Sequence, residues 1–89
     1  MQADHLDDAK REYALVLRAN PTITGVHELL GDIARQQRDL EGALKEYKAE
    51  LALAPDNARV SYKIGDVLIE ARDYPGAEKA LRAAAPVEH

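Results

Sequence analysis

The sequence predicts an all-α protein, a short α-solenoid of five antiparallel helices. Three observations carry this expectation. Ala, Leu, Glu, Lys and Arg dominate the 89 residues, a composition that favours helix and offers little to strands. Between proline-marked breaks the apolar residues recur at helical spacing. The chain also repeats itself: RDLEGALKEY from Arg38 to Tyr47 returns as RDYPGAEKAL from Arg72 to Leu81, 34 residues on, and a weaker copy, DHLDDAKREY, lies 34 residues before it. Pro21 and Pro55, Gly31 and Gly65, and the series Ala9, Ala43, Ala77 keep the same 34-residue offset. A fixed period of this size points to stacked supersecondary units rather than one closed bundle.

Taken in order, the first helix runs roughly from Leu6 to Ala19 and turns Leu6, Ala9, Tyr13, Val16 and Leu17 to one side. Asn20-Pro21 closes it, because proline disfavours helix in the residue before it. The second, roughly Ile23 to Gln37, aligns Val26, Leu30, Ile33 and Ala34, with Thr22 or Thr24 as the candidate N-cap. The third, roughly Leu40 to Ala54, uses Leu40, Ala43, Leu44, Tyr47 and Leu51. The fourth, roughly Ala58 to Ala71, follows an Asp56/Asn57 cap and aligns Val60, Ile64, Val67 and Leu68. The fifth begins near Pro75 with Asp73 as its capping candidate, carries Ala77, Ala80, Leu81 and Ala84 inward, and stops at Pro86. Short connections then make successive helices antiparallel. Tyr13, Tyr47 and Tyr74 fall at apolar repeat positions and are expected in the core, whereas Tyr62 lies on a polar side. Gly31 and Gly65 sit inside helices, where each costs about 1 kcal/mol relative to alanine. Close approach of a neighbouring helix explains them, with Ala43 and Ala77 as the matching small surface.

The bulk numbers exclude several functions. A formal charge of −4 argues against nucleic acid as the main partner. The chain has no cysteine, hence no disulfide and no thiolate metal site. No apolar run is long enough to span a membrane, and MQADHLDD is acidic where a signal peptide is basic and then apolar. The cytoplasm is then the default expectation, although these residues do not name a compartment.

The recurring positions resemble the tetratricopeptide repeat, a 34-residue helix–turn–helix with the pattern W-x2-L-G-x2-Y, A-x3-F, P. The middle copy reads His27, Leu30-Gly31, Ala34, then Ala43-x3-Tyr47, then Pro55; the next reads Ser61, Ile64-Gly65, Leu68, then Ala77-x3-Leu81. The first retains a second helix only, Ala9-x3-Tyr13 and Pro21. The resemblance divides the chain into a partial repeat over 1–21 and complete repeats over 22–55 and 56–89. His27 and Ser61 replace the large aromatic of the motif, and Glu50 stands where a small residue is usual; both departures are expected to weaken packing locally.

The resemblance implies a right-handed α-solenoid and a non-catalytic protein-interaction scaffold whose first helices line a concave, peptide-binding groove. Carried onto this sequence, the groove positions are Gly25, Glu28, Asp32, Arg35 and Gln36 on one helix. On the next they are Arg59, Tyr62, Asp66, Ile69 and Glu70, with Lys63 beside them. Asp32 and Asp66 are equivalent positions, which implies a partner that is mildly basic or carries a Lys/Arg anchor. The carboxylate clamp of one family subtype is rejected here, because Leu29 stands where its Asn is required and Glu28 and Asp32 would repel an incoming carboxylate. The alternative for the whole face is a solvated surface laced by charge pairs worth a few tenths of a kcal/mol each.

No catalytic constellation stands out: there is no G-x-S-x-G, G-x-x-x-x-G-K or H-E-x-x-H. His5 among Asp4, Asp7 and Asp8 imitates a metal cluster, yet acids at a helix N-terminus are better explained by the helix dipole. Neither cofactor nor metal is expected. The rival to groove binding is self-association through the repeat ends, where Val67, Leu68, Ala77, Ala80 and Ala84 suggest a sticky C-terminal surface. A helical enzyme is a distant third.

Overall fold

The computed structural model describes residues 2–84 of the protein. Among them are the helices α1 (Gln2–Ala19), α2 (Val26–Gln36), α3 (Leu40–Leu53), α4 (Ala58–Glu70) and α5 (Tyr74–Ala84). Each helix packs on the next along the chain, most intimately within the pairs α2–α3 and α4–α5 and least between α1 and α2. The extents of 44 × 28 × 15 Å are those of helix pairs laid in a row, not of a closed bundle. Pro86, expected to end α5, lies outside the described residues.

The repeated Arg-Asp dipeptide makes the corner inside each pair. Arg38 and Arg72 both take the left-handed conformation, each with φ of 65°. After α2, the N–H of Arg38 donates to Arg35 and that of Asp39 to Ala34; after α4, Arg72 donates to Ile69 and Asp73 to Leu68. This is a Schellman closure, which satisfies carbonyls that a helix end otherwise leaves bare. The carboxylate of the same Asp then caps the following helix: Asp39 accepts from the N–H of Gly42 at 2.9 Å, and Asp73 from that of Gly76 at 3.1 Å. Arginine is an unfavourable residue for φ above zero. Arg38→Gly and Arg72→Gly are therefore expected to raise stability by about 0.5–1 kcal/mol each. Urea denaturation checks this, and a loss of stability in both variants would contradict it.

The second helix starts differently from expectation. Neither Thr22 nor Thr24 caps it; helix begins at Val26, behind Gly25 with φ of 98° and no capping side chain of its own. The missing acceptor comes from α3. Glu50 is 1% exposed, and its Oε2 accepts from the N–H of Gly25 at 2.8 Å. Glu50 thus supplies a hydrogen-bond acceptor to the helix start from a neighbouring element. Its other oxygen, Oε1, is buried with no hydrogen-bond partner among the described residues. The residue expected only to weaken packing instead ties α3 to the start of α2. The cap expected for α4 is present, with Asn57 accepting from the N–H of Val60 at 3.3 Å.

The core gathers Ala34, Ala43, Tyr47, Val60, Ile64 and Val67, with Leu40, Leu44, Leu51, Leu68 and Ala80 packed against it. Tyr47 is fully buried, but Tyr74 is 60% exposed, so that expectation fails. The equivalent position, Leu40, lies against the core because α4 follows its pair; among the described residues no helix follows α5. Val16 on α1 is also exposed, as is its neighbour Leu15. The glycines admit large side chains rather than matching small ones. A Cβ on Gly31 would stand 2.5 Å from the Tyr47 ring, and one on Gly65 would stand 2.7 Å from Leu81 Cδ2.

Candidate functional site

On α2 and α4, residues four apart share a face, one turn above another. Glu28 and Asp32 therefore line one helix while Arg59 and Lys63 line the other, and the structure brings the two rows together. The Arg59 guanidinium forks onto both oxygens of Glu28 at 2.8 Å each. Lys63 Nζ lies 2.7 Å from Glu28 Oε2 and 3.1 Å from each oxygen of Asp32. Further along, Arg35 Nε donates to Glu70 at 2.8 Å. The result is a ladder of ion pairs tying the first helix of one pair to the first helix of the next.

This ladder is anchored in the core. The Tyr47 hydroxyl donates to Asp32 Oδ1 from beneath. Burial, reinforced by the Asp32 carboxylate, pushes the Tyr47 phenol well above its ordinary range. Glu28 is itself only 7% exposed. The Arg59 fork outweighs the cost of burying it and, with help from Lys63, holds its carboxyl at about 2 against 4.5 for the free group.

That depression makes a prediction about pH. A carboxyl whose pKa is lower folded than unfolded contributes stability that is fully present above 4.5 and disappears as pH falls toward 2. Glu28 is expected to account for on the order of 1–3 kcal/mol of this acid-labile stability, because its partner Arg59 remains in contact with water. Glu28→Gln should therefore flatten the acid limb of stability against pH, measured by urea denaturation. An unchanged limb would show that the pair contributes nothing.

Of the residues expected in the groove, Glu28, Asp32, Arg59 and Lys63 form one cluster and Arg35 and Glu70 a second contact. Asp32, Arg35, Gln36 and Glu70, joined by Arg38, line an open hollow of about 470 Å³. Tyr62 stays on α4 at 57% exposure, apart from that hollow. Among the described residues neither Tyr62 nor Asp66 makes a side-chain hydrogen bond, and Ile69 is exposed. Gly25 lies away from the ladder, held by Glu50. The basic spot expected at Arg59 and Lys63 is present, but its charge is matched by Glu28 and Asp32. Sequence reasoning missed Arg38, whose signal was its place just beyond the helix end, and the buried cap made by Glu50, for which pattern alone gave none.

Among the described residues no group of acids and histidines is arranged to hold a metal, and no helix is long and apolar enough to cross a membrane. No curated protein matches the chain. The family model described as tetratricopeptide repeat matches residues 1–58 and again residues 29–87. With the 34-residue period, the five helices and the L-G and A-x3-Y positions all in register, the chain belongs to the tetratricopeptide repeat family.

Proposed function

We propose that the chain is a non-catalytic scaffold whose α2/α4 face receives a peptide or an extended segment of a partner protein. Tetratricopeptide repeats in general mediate protein–protein interaction, and members are typically scaffolds rather than enzymes. The observation that carries the reading here is the hollow of about 470 Å³ beside the ion-pair ladder. Its walls combine donors and acceptors from two helices that the ladder holds in fixed relation, an arrangement suited to a peptide backbone and a charged side chain. Asp66 leaves an acid beside this surface, and the net charge of the chain is −4. A partner with a Lys or Arg anchor is the complementary one.

Binding of lysine- or arginine-bearing peptides, followed by fluorescence anisotropy at two salt concentrations, tests this. Asp66→Asn, which disturbs no hydrogen bond of the ladder, should weaken binding and reduce its salt dependence; combining it with Asp32→Asn should weaken it further. Affinity unchanged in the double variant would remove both residues from the site.

A second reading, association between copies, draws on a different observation. An apolar hollow of about 410 Å³ lies at Ile69, Tyr74, Ala77, Glu78, Leu81 and Arg82. One repeat earlier the corresponding surface includes Ala43 and Tyr47, both fully buried. The exposed apolar end is thus Ile69 and Tyr74, with the half-buried Leu81 beside them, rather than Val67, Ala77 and Ala84, which are already buried. If copies stack there, the sedimentation coefficient rises with concentration and Tyr74→Asp abolishes the rise; a monomer at every concentration excludes it.

A further inference from the structure

Turning α4 through about half a revolution from the ladder, at 3.6 residues per turn, brings up Ser61, Ile64 and Leu68. They floor a second groove, walled on one side by Lys48 and Leu51 of α3 and on the other by Lys79 and Ala80 of α5. Its volume is about 350 Å³, within the range of about 300–1,000 Å³ typical of ligand pockets.

The groove is open because of two particular residues. One repeat earlier, the positions of Ser61 and Ala80 are held by His27 and Glu46. Those two side chains meet there, His27 Nδ1 to Glu46 Oε1 at 2.8 Å, and bridge the equivalent helices. Serine and alanine cannot reach across, so Leu51, Leu68 and Ala80 stay half-buried in the groove, with Ser61 and Ile64 buried beneath them. The chemistry at the rim is also one-sided. Lys48 and Lys79 are exposed on opposite walls, and among the described residues neither ammonium is paired with a carboxylate. Asp73 stands at the end of the groove, but its carboxylate is turned to the N–H of Gly76.

We infer that this α3/α5 groove is a second docking site, distinct from the α2/α4 face, for an acidic peptide segment bearing aliphatic side chains. The aliphatic groups cover Leu51, Leu68 and Ala80, and flanking carboxylates reach Lys48 and Lys79. Charge selects the segment: a basic peptide meets two unneutralised lysines, and a neutral one leaves both unpaired. The two faces thus take partners of opposite sign on opposite sides of one helix.

The test uses a fluorescein-labelled peptide of alternating Leu-Leu and Glu-Glu pairs, titrated with the intact chain and read by anisotropy. A second peptide with lysine in place of glutamate is titrated in parallel. Lys48→Glu with Lys79→Glu should weaken binding of the acidic peptide by about tenfold or more. Arg11→Glu with Arg18→Glu, the same charge change placed on α1, should leave it within about twofold. Circular dichroism confirms that all variants fold, and amide shifts at Leu51, Ile64, Leu68 and Ala80 should locate the peptide. The inference is overturned if the acidic peptide does not bind, if both pairs of variants weaken it equally, or if the lysine peptide binds as well. Shifts at these amides with rising protein concentration and no peptide would overturn it too, by making a second copy the occupant.

Discussion

Tyr47→Ala is expected to lower stability by about 3–5 kcal/mol, the range for removing a buried aromatic side chain. Tyr47 is fully buried at the centre of the core, and its ring fills the notch left by Gly31. Its hydroxyl also holds Asp32, which pairs with Lys63. Deleting it opens a cavity and loosens the ladder together. Tyr47→Phe separates the two effects: the ring stays, and the loss should fall to about 1.5–3 kcal/mol for one hydrogen bond to a charged group. Chemical denaturation of both variants measures the difference. If Tyr47→Phe cost as much as Tyr47→Ala, the packing account of this residue would be wrong.

Gly31→Leu should cost on the order of 1–3 kcal/mol by overpacking. The reason is local: a Cβ at 2.5 Å from an aromatic carbon leaves no room, and the ring is pinned by burial and by Asp32. The solvent-facing Lys48→Ala should change stability by less than about 0.5 kcal/mol. Gly65 occupies the equivalent position but faces Leu81, whose aliphatic side chain is only half-buried and can swing aside. Gly65→Ala is therefore expected to be milder than Gly31→Ala. Equal melting losses for Gly31→Leu and Lys48→Ala would refute the packing proposed at this helix crossing.

The period and the helical spacing made the helices legible, because both are properties of residues near one another in sequence. Asp73 and Asn57 were readable as caps for the same reason: a cap acts within one turn. The cap on α2 was not, since Glu50 reaches it from 25 residues away. Tyr74 was misread because its pattern matches Leu40, while burial depends on whether another helix lies over it. At the candidate site, periodicity placed Glu28, Asp32, Arg59 and Lys63 on facing helices. It did not show that they neutralise one another, which depends on the distance between the two helices. Asp32 looked like a free acid for a partner; in the structure Lys63 and Tyr47 already hold it.

The Arg-Asp corners have a mechanical consequence. Because Asp39 and Asp73 each close one helix and open the next, neither α2–α3 nor α4–α5 can hinge without breaking both sets of bonds at once. Each pair behaves as a stiff bracket. The link between brackets, from Ala54 to Asn57, has one backbone turn bond of its own, from Asn57 to Ala54. Across that joint the brackets are held by the apolar core, where Ala43 and Tyr47 pack with Val60, Ile64 and Val67, and by the ion pairs between α2 and α4. Salt weakens those ion pairs by screening the charges, while the core and the corners, held by apolar packing and backbone geometry, keep their shape.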